Sequence, residues 1–290
     1  MTSPRSIYVG VTERAPHVRD ALDVRRLTLT VMVALAPCAL WALYDRGAPS
    51  FLTAFIVTFA VGGAWEVLYA VLRRRAVNEG FLVTSLLFAL ILPPDVPLTR
   101  VALGISFGVL VGKVLVNRGG MNMLHPALAA RALLYAADPI PGSLGDMPAW
   151  LCLMGAAILI VTQAGSWRVM AGVAAGTVAM SLVFNAAGPD ANAISAVPFW
   201  RHMVLGGWAF GTVFLCTDPV TGCYTDIGRC IYGFSIGVLV VLVRVTHPAH
   251  PDGVMLSILL MNVFAAQIDS IVLQRNVKRR IARSAVRYTP

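Results

Sequence analysis

Long apolar runs separated by short polar words make up most of the chain. Leu27 to Tyr44 and Phe51 to Leu72 come first, joined by Asp45-Arg46-Gly47-Ala48-Pro49. Each is long enough, at about 1.5 Å per helical residue, to cross roughly 30 Å of hydrocarbon. Phe81 to Leu92 is shorter, and Pro93-Pro94 stops it. A run that short predicts a half-helix, which a membrane tolerates only where protein or a cavity surrounds its open ends. Leu98 to Val116 is again of full length. Pro126 to Ala137 is short and opens on proline, a good first helical residue. Trp150–Thr162, Val169–Phe184, Met203–Leu215, Cys230–Val245 and Val254–Leu273 follow. The pattern predicts an all-α integral membrane protein of about eight to ten transmembrane segments, eight of them full spans and two discontinuous.

The two halves of the chain echo one another. Gly104-Ile-Ser106-Phe-Gly108-Val109-Leu110-Val111 matches Gly233-Phe-Ser235-Ile-Gly237-Val238-Leu239-Val240. Pro94-Asp95 precedes one copy and Asp218-Pro219 the other, and His125-Pro126-Ala127 and His247-Pro248-Ala249 follow them. The implied organisation is a polar tail over 1–24, a membrane domain over 25–273 with inverted or tandem repeats at roughly 25–137 and 150–273, and a basic tail over 274–290. Duplicated halves with short, Pro/Gly-interrupted helices are a transport architecture, with the path at the repeat interface.

Composition agrees with lipid as the solvent. Hydrophobic residues make up 58% of the 290 and charged residues 13%, where a soluble domain carries about 25% charged. The net charge of +9 raises nucleic acid as a partner, but its placement argues against that. Arg25-Arg26, Arg73-Arg74-Arg75 and Lys278-Arg279-Arg280 each flank an apolar run, the positive-inside pattern, which sets both termini in the cytoplasm. The polar first 24 residues offer no cleavable signal peptide, so the first span does the targeting. The five cysteines, Cys38, Cys152, Cys216, Cys223 and Cys230, form no C-x-x-C pair. They read as buried thiols, with an iron–sulfur ligand shared with another subunit as the alternative.

Several words together resemble one family. They are Ala15-Pro16-His17-Val18-Arg19-Asp20, the stretch from Asn78-Glu79-Gly80-Phe81 to Pro93-Pro94, His202 to Gly211 with Thr217-Asp218-Pro219-Val220, Arg244-Val245 with Pro248 to Gly253, and Asn276-Val277-Lys278-Arg279-Arg280. They are similar to the B-type subunit of the sodium-translocating NADH:quinone reductase and the D-type subunit of the related Rnf complex, over about residues 15 to 283. The resemblance implies a subunit of the bacterial inner membrane that works beside the other subunits of such a complex. It would carry electrons by flavin, with a quinone site and a path for Na⁺ or H⁺. The chain has no nucleotide-binding signature of its own, so NADH would bind a partner. A channel or transporter that has lost the redox site, and a non-redox scaffold, are the other readings.

The departures from the family are local. Its Ser-Gly-Ala-Thr word, whose threonine carries FMN through a phosphoester, is absent; Ala137-Asp138 runs directly into Pro139-Ile140-Pro141-Gly142-Ser143. The reading is therefore no covalent FMN, with any FMN or riboflavin held non-covalently. The family's glutamate after Gly-Lys is Val114 here, and its Gly-Gly-Thr-Gly word reads Asn117-Arg118-Gly119-Gly120.

Candidate contacts for a flavin or quinone are Asn78, Glu79, Gly119, Gly120, His125 and Arg131. Arg131 has the planar fork that suits a phosphate, or an ion pair in the bundle. Glu79 equally well serves a helix N-terminus. His125 and His247 stand at matching repeat positions, suited to capping or to a bis-histidine haem. No metal site is indicated. Candidate ion-path residues are Glu66, Asp218 and Asp269, since an acid inside a membrane costs several kcal/mol unless it faces protein or water. The family's counterpart of Asp269 is implicated in sodium uptake, against a structural pairing with a basic group. Glu66 also has Arg73 two turns away toward the surface, and Asp218 before Pro219 suits a turn. Gly62-Gly63, Gly104, Gly108, Gly112 and Gly206-Gly207 allow close helix approach or room for a flat ring.

Overall fold

A computed structural model describes residues 24–74, 79–93, 96–115, 117–118, 121–137, 147–187, 197–246 and 253–287. Among them run α1 (Val24–Asp45), α2 (Ala48–Arg73), α3 (Gly80–Ile91), α4 (Leu98–Val109), α5 (Pro126–Ala137), α6 (Ala149–Val161), α7 (Trp167–Ala187), α8 (Phe199–Val204), α9 (Trp208–Phe210), α10 (Asp226–Thr246) and α11 (Gly253–Arg287). The fold is all-α in its membrane part. A two-residue antiparallel ladder, Asn117–Arg118 with Met121–Asn122, is the exception among the described residues. Asn78, Pro94-Asp95, Gly119, Gly120, His247 and the 1–23 segment lie outside the described residues.

Local chemistry sets the helix limits. Pro49 sits in the first turn of α2, where its missing N–H costs nothing. Arg74 closes α2 in the left-handed region (φ 51°), its N–H bonding back to Ala70 and Val71 carbonyls. Pro93 follows the end of α3, and Pro97 stands just before α4. Beyond Val109, α4 widens into a π-helical stretch, Leu110–Leu115; α9 does the same over Gly211–Leu215.

Five helices among the described residues are long and apolar enough to cross alone, α1, α2, α7, α10 and α11, and α3, α4 and α6 are shorter apolar helices. Met203–Leu215 is no single span, because Gly206 (φ 60°) and Gly207 (φ 63°) turn the chain left-handed between α8 and α9. Helix α11 runs on for 35 residues, about 52 Å, to Arg287.

The long helices are mostly exposed, and stretches of three short ones are fully buried. In the long helices only 22% to 39% of each apolar window is buried. Thr84 to Leu92 of α3 are all buried, as are His125 to Arg131 at the start of α5 and Phe210 to Thr217 after the break. A short helix leaves backbone groups open at its ends, and hydrocarbon offers them nothing. Enclosure within the bundle solves that problem for all three. The pairing of neighbours also recurs along the chain. Helix α2 packs on α3 and α4, and α4 on α5; α7 packs on α8 and α10, and α10 on α11; α1 meets α6.

Candidate functional site

The open C-terminal end of α3 is met by a side chain from a neighbour. At the end of α3, Arg46 donates through Nη1 to the carbonyls of Ala89 (3.3 Å) and Leu92 (2.5 Å), and through Nη2 to Leu90 (2.9 Å). A guanidinium there also opposes the negative end of the helix dipole. At the start of α3, Glu79 lies 3.7 Å from Arg25, with both side chains exposed. Along its length, Thr58 Oγ1 donates to the Ser85 carbonyl and Ser85 Oγ to the Thr58 carbonyl, both at 3.2 Å. Gly62 makes room for that pair, since a methyl there would lie 3.2 Å from Ser85 Oγ.

The acids are placed differently from one another. Asp269, on α11, is buried and faces the N-terminus of α10. Its carboxylate accepts from Tyr224 N (2.7 Å), Thr225 N (3.0 Å) and Thr225 Oγ1 (2.5 Å). Thr225 Oγ1 in turn accepts from Gly228 N and caps α10. Among the described residues its partners are thus backbone amides and a hydroxyl rather than a basic side chain. Asp218 lies on the same loop: its Oδ2 accepts from Thr221 Oγ1 (2.8 Å) and its carbonyl from Gly222 N (3.1 Å). One residue after the π-helical stretch, Cys216 begins this loop, and Cys223 in it donates to the Ala265 carbonyl, one turn before Asp269. Behind the loop, buried Tyr232 donates to Asn262 Oδ1 (2.5 Å). Asn262 Nδ2 and Thr212 Oγ1, both buried, have no hydrogen-bond partner among the described residues.

Asp218 and Asp269 are therefore brought to one loop, and the other candidates are elsewhere. Glu66 is buried on α2, in the first half of the chain, rather than reaching toward the surface. His125 and Arg131 are buried at the start of α5. Arg131 is 1% exposed, so the fork is sunk in the bundle. Close packing takes the glycine positions: a methyl on Gly108 would strike the Pro126 carbonyl, and one on Gly104 would lie 3.1 Å from Leu134 and Phe88. Among the described residues no three His, Cys, Asp or Glu side chains gather to hold a metal.

A cavity of about 290 Å³ opens where α2 and α4 begin and α3 ends. Arg46, Ser50 and Thr53 are its polar lining; Phe51, Leu92, Val101 and other apolar groups form the rest. Small-molecule sites run from roughly 300 to 1,000 Å³, so this cavity has the size of a ring or a headgroup rather than of a whole flavin nucleotide. No Ser-Gly-Ala-Thr word exists in the 290 residues.

Sequence reasoning missed Arg46 and Arg244 as structural cations, and the Tyr232–Asn262 pair. A carbonyl partner has no side-chain signature to read. Asn262 was detectable, as an amide inside an apolar run.

A profile of the NQR2, RnfD, RnfE family matches residues 11–141 and 136–278. The two pieces meet where Ala137-Asp138 runs into Pro139-Ile140. Similar curated proteins include the B-type subunit of the Na(+)-translocating NADH-quinone reductase of Chromohalobacter salexigens, 39% identical over 97% of this chain and 89% of the relative. The same subunit of Pseudomonas paraeruginosa is 42% identical over 93% of this chain and 79% of the relative. That of Klebsiella pneumoniae is 36% identical over 94% and 90%. The Chromohalobacter alignment runs over 367 positions while this chain has 290 residues, so the relative carries several dozen residues that this chain lacks.

Proposed function

This chain belongs to the NQR2, RnfD, RnfE family, and from that premise we propose that it is the membrane subunit of an ion-translocating NADH:quinone oxidoreductase of the bacterial inner membrane. The other subunits of that complex are its partners, and they bind NADH. Its five long apolar helices make it a multi-pass protein. The observation that carries the reading is the enclosure of three short helices inside the bundle. Broken helices buried in protein are how membrane proteins offer backbone groups to an ion without exposing them to lipid.

In this reading Asp218 and Asp269 hold the cation-facing loop at the N-terminus of α10, and Glu66 supplies a second buried acid in the first half. Na⁺ and H⁺ both suit such a path. A flavin supplies electron transfer when bound in the complex. The chain's own residues set the environment: Arg46 and its hydroxyl neighbours line a pocket sized for a ring or headgroup, and the enclosed apolar helices exclude water. Asn78, Glu79, Gly119, Gly120, His125 and Arg131 are the residues for a quinone or a non-covalent FMN or riboflavin. Both termini face the cytoplasm, as the flanking arginines direct.

One purification tests this. A tag on this chain should bring down a complex that reduces quinone with NADH. After denaturing electrophoresis the band of this chain should show no flavin fluorescence. A chain that purifies alone, with no reductase activity in the eluate, overturns the function. A fluorescent band overturns the non-covalent reading.

A further inference from the structure

The break between α8 and α9 frees two carbonyl oxygens, that of His202 in a buried setting and that of Leu205 in a part-buried one. In an unbroken helix the His202 and Leu205 carbonyls would accept from the N–H groups four residues on. The left-handed Gly206 and Gly207 divert the chain, and Leu205 keeps only a long contact from Trp208 N (3.4 Å). The guanidinium of Arg244 takes both oxygens instead. Nη1 donates to the His202 carbonyl at 2.7 Å and Nη2 to the Leu205 carbonyl at 2.6 Å. Arg244 is 4% exposed and stands in the last turn of α10, a favourable end for a cation.

Carbonyls released by a broken membrane helix are ready ligands for a small cation. Here a cation that belongs to the chain already fills them. We propose that Arg244 is a tethered cation that seals the α8–α9 break against the transported ion. A fixed positive charge in a poorly hydrated bundle repels any second cation approaching the same oxygens. Ion passage then requires that the guanidinium be drawn off the two carbonyls, so that the path is shut at rest. The inference rests on the ion-path reading of this subunit.

The test uses the whole complex in proteoliposomes and reads two quantities: passive cation entry without NADH, and NADH-driven cation transport. Arg244→Gln keeps hydrogen-bond donors beside the carbonyls but removes the charge. It should raise passive entry by about tenfold or more, the size of effect expected when a charge barrier in a pore is lost. Arg244→Met is a second neutral variant of similar length, should the glutamine protein fail to assemble. Arg244→Lys keeps the charge and should remain as tight as the wild type. A structural cap alone would change assembly in all three without making the assembled complex leak. Assembled neutral variants as tight as wild type overturn the proposal, and so does a lysine variant as leaky as the neutral ones. Absence of NADH-driven transport in the wild type, by contrast, overturns the function of the subunit itself.

Discussion

Replacing Gly237 by leucine will part α7 from α10 and leave little folded protein. The two helices cross backbone to backbone. A methyl at Gly237 would strike the Val173 carbonyl and lie 2.6 Å from Thr177 N. Gly176 and Gly233 face the Phe234 and Val169 carbonyls in the same way, and a methyl at Gly172 would lie 2.9 Å from the Cys230 carbonyl. These obstacles are main chain, so no rotamer change relieves them. In lipid this close contact is itself the attraction, because apolar side chains gain nothing by leaving apolar solvent. Overpacking typically costs about 1–3 kcal/mol, and a leucine between two backbones exceeds that. Gly63→Ala is the matched control: its methyl would meet only the Phe81 ring, at 3.2 Å, and a ring can shift. Size-exclusion of detergent-solubilised protein reads the outcome. The Gly63→Ala protein should run as a sharp peak, and the Gly237→Leu yield should fall to about a tenth or less. A sharp, full-sized Gly237→Leu peak would mean that α7 and α10 do not cross backbone to backbone.

The second large effect falls on Asp269. Alanine there strands three donors: Tyr224 N, Thr225 N and Thr225 Oγ1. It also removes a negative charge from the N-terminus of α10. A buried donor left without an acceptor costs about 1–3 kcal/mol. Asparagine keeps an acceptor for Thr225 but turns an N–H toward Tyr224 N, so its cost falls between alanine and wild type. Cys223, buried and bonded to the Ala265 carbonyl, reports on the loop. In a Cys230→Ser background, which removes the exposed thiol, maleimide should label Asp269→Ala quickly, Asp269→Asn at an intermediate rate and wild type slowly. Equal rates in all three would show that Asp269 does not hold the loop, leaving it to act solely as an ion ligand.

The sequence shows the short helices better than it shows what closes them. Proline marks the end of α3 at Pro93 and the start of α5 at Pro126, and both helices follow those marks. Proline is legible because it removes a donor and fixes φ whatever surrounds it. The α8–α9 break was missed because Gly206-Gly207 also suits close packing inside a continuous helix. Only the positive φ at both residues separates the two meanings. Among the candidate residues, the buried acids were visible as charges in apolar runs. Their partners were not: a basic group was the structural alternative for Asp269, and backbone amides of a distant loop supply the contacts instead. Arg46 and Arg244 were invisible for the converse reason, since each binds carbonyls, which every residue carries. Glycine packing at Gly108 and Gly112 followed from residue size alone, and a methyl at Gly112 would crowd Pro126 at 3.0 Å.

Inverted membrane vesicles give the most direct test of the ion-coupled role. Vesicles from cells with this chain should accumulate Na⁺ or H⁺ when NADH is added with quinone, and an ionophore for that cation should collapse the gradient. Vesicles lacking only this chain should accumulate none. Equal, ionophore-sensitive accumulation in both, or quinone reduction that moves no cation in vesicles containing the chain, would contradict the account.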